Sequence, residues 1–208
     1  MSDERRRRLR LEVSREAARL FWEQGVAATS GDQIAEAVGI STRTLWRHFR
    51  SKESCVEPLL LACNDWFLEL LRDWPRDKSL GEHFTEAVPR VVRTPQQHAD
   101  DVAAVRMTAL GQTEPAIRIG WLMACDEVER ELITLLAKRH DRPTDDVEIR
   151  IHAAAATAAI RAVSDAADAF VANGHKISEF GDPFELMARA VHQVTGGVIG
   201  GPVDALKT

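Results

Sequence analysis

Six residues that can hydrogen-bond or carry charge crowd into one short stretch: Thr42, Arg43, Thr44, Trp46, Arg47 and His48, with Leu45 the one aliphatic residue among them. These side chains combine the donors and acceptors that reach base edges with the cations that suit phosphates. On the outer face of a helix, that mixture is suited to reading duplex DNA through the major groove. Leu45 and Phe49 are four apart and give such a helix an inward face.

The flanking residues supply the elements that would hold this face. Ser30 suits a helix N-cap, and Gln33 three residues on completes a capping box. Ile34, Ala35 and Val38 then share one face of a short helix, which Gly39 ends by taking a left-handed conformation. Ile40 is an apolar plug, and Ser41 caps the next helix, Thr42 to His48. Ser51 opens a third helix, and Lys52 in its first turn stands beside free backbone N–H groups, a place for a phosphate. Ser30 and Lys52 therefore join the six as candidate DNA contacts.

TSGDQIAEAVGISTRTLWRHFRSKE (Thr29 to Glu53), with the preceding AARLFWEQGV, closely resembles the TetR (tetracycline-repressor-like) family of bacterial regulators. The resemblance covers roughly residues 10 to 57. It departs at Trp46, where the family usually has Tyr; the indole N–H can donate to a phosphate but cannot accept. The resemblance implies a homodimer on a palindromic operator, released when a small molecule binds in a carboxyl-terminal body.

Composition agrees with an all-α fold. The 208 residues are 45% hydrophobic, with a helical apolar period almost throughout. The net charge of −5 is unevenly divided. Residues 1–52 carry eleven Lys and Arg against seven Asp and Glu, a net of +4, while the remaining sixteen against twenty-five give −9. Positive charge at the amino end is the footprint of a nucleic-acid binder. Two domains are expected: 1–55, a three-helix DNA-binding domain with a basic arm, and 56–208, a six-helix ligand-binding and dimerisation body. The arm contains four consecutive arginines, Arg5 to Arg8, which either lie on DNA or form a solvated tail.

The expected helices run from Leu9 to Gln24, through the two short ones, then from Lys52 to Trp74, where Pro58 should distort the first turn. Capping signals place further helices from Ser79, from Thr94-Pro95, from Thr113-Pro115, from Asp145 to Asn173, and from Phe184 to Thr195. Residues 196–208 are expected to trail off.

In the body, Trp66, Phe84, Met107, Trp121, Cys125, Arg161 and Phe170 are candidates for an effector pocket, although large apolar residues at helical spacing equally suit core. Ala154, Ala158 and Ala162, with Phe184, Met187 and Val191, form a stripe for a dimeric four-helix bundle or for intrachain core; the resemblance favours the dimer. No catalytic motif, metal-ligand spacing or cofactor signature appears, and the three cysteines form neither a disulfide framework nor a zinc pattern. With no apolar run long enough to span a bilayer, a cytoplasmic protein is expected. The leading reading is a ligand-released repressor. The alternatives are an activator, a regulator answering to redox or a protein partner, and, more remotely, a helical enzyme or interaction module.

Overall fold

The computed structural model describes residues 3–203, except the side chains of Ile177 and Ser178, and every regular element among them is helical. In chain order these are α1 (Asp3–Gln24), α2 (Gly31–Val38), α3 (Thr42–His48), a 3-10 turn (Glu53–Val56), α4 (Glu57–Arg72), α5 (Leu80–Ala87) and a second 3-10 turn (Val88–Arg90). There follow α6 (Pro95–Leu110), α7 (Pro115–His140), α8 (Val147–Ala172), the four-residue α9 (Ile177–Phe180) and α10 (Pro183–Val194). The capping boxes at Ser30, Ser79 and Thr94 all form. Pro58 lacks an N–H to donate, and the expected third helix accordingly opens as a 3-10 turn before becoming α-helical.

Two compact units emerge among the described residues. The first comprises the described residues up to Asn64 together with Thr94–Ala124, and the second comprises Asp65–Arg93 and the residues from Cys125 onward. Within the first unit, α1 packs on α2, on the first 3-10 turn and on α6. Val13, Ala17, Phe21, Ile34, Leu45 and Leu59 are among the residues buried there. Two polar contacts explain why α6 belongs with α1 and α4 starts where it does. Arg15 makes a bidentate pair with Asp100, both bonds 2.8 Å. The buried Ser14 hydroxyl accepts from the Leu59 N–H at 3.0 Å, satisfying a donor in the first turn of α4 that has no intrahelical partner.

α1 runs from Asp3, so Arg5 to Arg8 are helical and belong to the first helix, which was expected to start only at Leu9. Asp3 and Glu4 sit in the first turn, where carboxylates complement the helix dipole. Arg8 pairs with Glu12 one turn on, and Arg is itself a good helix former.

The second unit packs α10 on α8 and α5 around Phe67, Leu68, Leu71, Phe84, Leu132, Leu136, Ala153, Val191 and Ile199. The expectation that the chain trails off after residue 195 fails for residues 196–203. Gly196, Gly197 and Gly200 take positive φ and turn the chain back, burying Ile199. The Gly200 carbonyl then accepts from Leu80 N–H at 2.8 Å, and Val203 N–H donates to the Arg76 carbonyl at 2.7 Å. Residues 204–208 lie outside the described residues. The short α9 was not signalled by any periodicity.

Arg139, 6% exposed, ties this unit together without a carboxylate. Its Nη1 donates to the carbonyls of Trp74 (3.3 Å) and Pro75 (2.6 Å), and its Nη2 to those of Arg76 (3.2 Å), Lys78 (2.8 Å) and Gly201 (3.2 Å). The guanidinium also lies 3.7 Å from the Trp74 ring centroid. Burial, and secondarily Arg76, lower its pKa to about 10, which still leaves it charged at neutral pH. Arg139→Ala should therefore lower unfolding stability by about 3 kcal/mol, because several carbonyls lose their donor together. Arg139→Lys should restore less than half of the loss, since an ammonium lacks the five-donor fork. Equal urea midpoints for wild type and Arg139→Ala would remove this side chain from any structural role.

Candidate nucleic-acid interface

α3 is seven residues long, too short to persist alone, so its position rests on caps and packing. Ser30 Oγ accepts from Gln33 N–H (3.1 Å) while Gln33 Oε1 accepts from Ser30 N–H (2.8 Å), fixing the start of α2. Gly39 closes α2 at φ 71°, in the left-handed region, and Ile40 N–H returns to the Ala35 carbonyl at 3.0 Å. Ser41 Oγ accepts from Thr44 N–H at 3.2 Å and starts α3. Leu45 is fully buried and Phe49 nearly so, which anchors the inner face.

Arg43, Trp46 and Arg47 are left exposed on the outer side, with Thr42, Thr44 and His48 half-buried. Thr42 Oγ1 donates to Asp32 Oδ1 at 2.6 Å, and the Thr44 and Ser41 hydroxyls are 2.9 Å apart. Trp46 is 44% exposed, and its indole leans on the first residue of α2. A Cβ at Gly31 would come within 2.2 Å of the ring edge, so a larger residue there would push the exposed indole aside. His48 is depressed below the ordinary histidine range, first by burial and then by the charges of Arg47, Arg10 and Arg6. Its Nε2 is buried and has no hydrogen-bond partner.

The structure thus brings Ser30 and the six α3 residues onto one motif. Ser30 caps α2, and Lys52 reaches back to the loop that precedes it. The Lys52 ammonium donates to the carbonyls of Val26 (2.7 Å) and Thr29 (2.8 Å), latching the loop between α1 and α2. Arg6, read from sequence as part of the Arg5 to Arg8 run, and Arg10, which was not singled out, line a notch with Arg47 and His48. The signal was present in their spacing of four, which shares a face once α1 is extended back to Asp3.

The effector candidates divide between the units. Met107 and Trp121 are buried in the first. In the second, Trp66 lines a cavity of about 430 Å3 with Glu69, Asp73, His83, Glu86 and Arg90. Phe84 is in the core, its ring edge-on to Phe184 at 5.3 Å. Cys125 is buried, Arg161 is half-buried, and Phe170 stacks on His175 at 4.4 Å; none of these lines that cavity. Among the described residues no cluster of three or more His, Cys, Asp or Glu is arranged to hold a metal, and no helix is long and apolar enough to cross a membrane. Burial, then the charges of Glu53 and Glu57, push the Cys55 thiol up to about 12, which removes its nucleophilic form.

A family profile described as bacterial regulatory proteins, tetR family, matches residues 15–59, which cover the second part of α1, the helix-turn-helix and the start of α4. The transcriptional regulator TcmR of Streptomyces glaucescens is 31% identical over 144 residues, covering 67% of this chain and 64% of TcmR. This chain carries an amino-terminal domain of the tetR family. The transcriptional repressor KstR2 of Mycobacterium tuberculosis is 42% identical over 57 residues, 27% of this chain and 28% of that protein. The chain thus spans just under two thirds of the one curated relative and about a quarter of the other. Among solved structures, Salmonella enterica GusR shares the fold at TM-score 0.53 and 21% identity, covering 92% of this chain and 95% of its own. A tetR-family regulator from Streptomyces coelicolor does so at TM-score 0.54 and 18% identity, over 94% and 84%.

Lys52→Met keeps the aliphatic stem and removes both hydrogen bonds. It should lower the stability of this tetR-family domain by about 1–3 kcal/mol. Thermal melting checks it. An unchanged melting temperature, with a flatter salt dependence of DNA binding, would return Lys52 to the phosphate role.

Proposed function

We propose that the protein is a transcriptional repressor that binds a palindromic operator as a homodimer and leaves it when a small, partly apolar molecule occupies the carboxyl-terminal body. The observation that carries this reading is α3: its inner face is locked by Leu45 and Phe49, while Arg43, Trp46 and Arg47 stand free on the outer face. Arg43 is the candidate base reader, since a guanidinium fork suits the paired acceptors of guanine. Trp46, Arg47 and His48 supply contacts to the backbone. Repression, as against activation, is favoured by the similarity to KstR2, a transcriptional repressor.

The dimer surface is the outer side of α8. Val147 (68% exposed) and Ile151 (59%) continue the stripe of Ala154, Ala158 and Ala162, of which the last two are exposed. Phe184 and Met187 pack against their own core, and Val191 is buried in it. Release runs through continuous backbone: α4 and α7 each begin in the first unit and end in the second. α6 is joined to α1 by Arg15–Asp100 and by Arg106, 5.1 Å from the Trp22 ring centroid. Effector and operator affinities must then be coupled reciprocally.

Selection of bound sequences from random duplexes should return a palindrome, and Arg43→Ala should cost about 1–3 kcal/mol and relax one base pair per half-site. Equal weakening on every sequence would reassign Arg43 to phosphate. No enrichment at low salt would sink the regulator reading. Light scattering should give a dimer mass that falls to a monomer in Ile151→Glu/Ala162→Glu; a dimer that survives both changes places the interface elsewhere.

A further inference from the structure

Four residues from two helices of the first unit line a notch of about 550 Å3: Arg6 and Arg10 from α1, and Arg47 and His48 from α3. None of the four is acidic. Arg10 and Arg47 make no ion pair among the described residues, and the Arg6 contact to Asp3 is a long 3.9 Å between exposed groups, 54% and 91% exposed. Arg10 is also held in place, its guanidinium 5.2 Å from the ring centroid of the buried Phe49. The depression of His48 comes first from burial, and the further lowering by Arg47, Arg10 and Arg6 reflects the same positive charge on both helices. The Nε2 of His48 is buried and has no hydrogen-bond partner. Such a site costs stability through self-repulsion unless an anion neutralises it.

We propose that this notch seats one phosphate of the DNA backbone beside the groove that α3 enters, held by Arg6 and Arg10 of α1 together with Arg47 and His48 of α3. The proposal rests on the DNA-binding reading above. A tetrahedral phosphate presents oxygens in several directions and so suits guanidinium forks arriving from two helices. The helical state of residues 3–10 is what makes the seat: an extended arm would leave Arg6 and Arg10 without a common face. The contact carries no base identity. It fixes the depth and angle at which α3 enters the groove.

The test uses the full chain and a duplex obtained by selection, with affinity followed against KCl concentration. Arg6→Gln/Arg10→Gln should bind every duplex, selected or random, weaker by a common factor of about tenfold or more, with a log–log salt slope shallower by about 1 per subunit. Arg8→Gln removes a neighbouring charge that is paired with Glu12 and lies off the notch; it should change affinity by less than about threefold. A duplex series with single neutral methylphosphonates should reveal one phosphate per half-site whose neutralisation weakens wild type but not the double variant. Helicity by circular dichroism confirms folding, and Arg6→Lys/Arg10→Lys should fall between wild type and the glutamine variant. The seat is overturned if the double variant matches wild type, if Arg8→Gln weakens binding as much, or if discrimination between duplexes changes. Wild type failing to bind any duplex at any salt would instead end the DNA-binding reading, and the seat with it.

Discussion

The burial of Leu45 governs the amino-terminal part of this protein. A seven-residue helix has no stability of its own, so nothing but packing decides which of its sides faces out. With Leu45 sealed against the motif and Phe49 following one turn later, rotation of α3 about its axis would expose a large aliphatic side chain and bury a guanidinium. The identity of the outward residues is therefore a consequence of the inward ones. Ser41 and Gly39 add to the same constraint by setting where the helix begins and the angle at which the chain arrives.

Cations serve two opposite purposes here, and net charge does not tell them apart. Arg139, Lys52 and Arg15 are spent inside the molecule, on five carbonyls, two carbonyls and one carboxylate respectively. Arg43, Arg47 and Arg10 have no such partner among the described residues. The difference follows from surroundings that only the fold supplies: Arg139 reaches carbonyls more than sixty residues away in sequence. A run of arginines in a sequence is thus a poor guide to which of them meet a ligand.

That distinction also marks how far the sequence could be read. Local signals were legible, because capping boxes, a left-handed Gly39 and the proline near the start of α4 act within a few residues. The outward set on α3 was legible for the same reason. Long-range uses were not. Lys52 carries a hydrogen-bonding group that fits a phosphate or a carbonyl equally well, and Val26 and Thr29 come within reach only after α1 and α2 have packed. The glycines after residue 195 looked like a loose end because glycine permits disorder and tight turns alike. Their service as a lid for Leu80 depends on a helix more than a hundred residues earlier. The aromatic residues of the body likewise look the same in a sequence whether they line a cavity, as Trp66 does, or fill a core, as Phe84 does.

The turn at Gly200 and Gly201 bears on the order in which the molecule is completed during synthesis. Every residue of the first unit has been made once Ala124 is joined. The second unit lacks a cap for Leu80 and one of the five carbonyls around Arg139 until Gly200 and Gly201 have emerged. Domains formed from early sequence fold ahead of those that need the last residues. The helix-turn-helix needs no residue made after Ala124, whereas Leu80 and Arg139 wait for a turn more than sixty residues further along the chain.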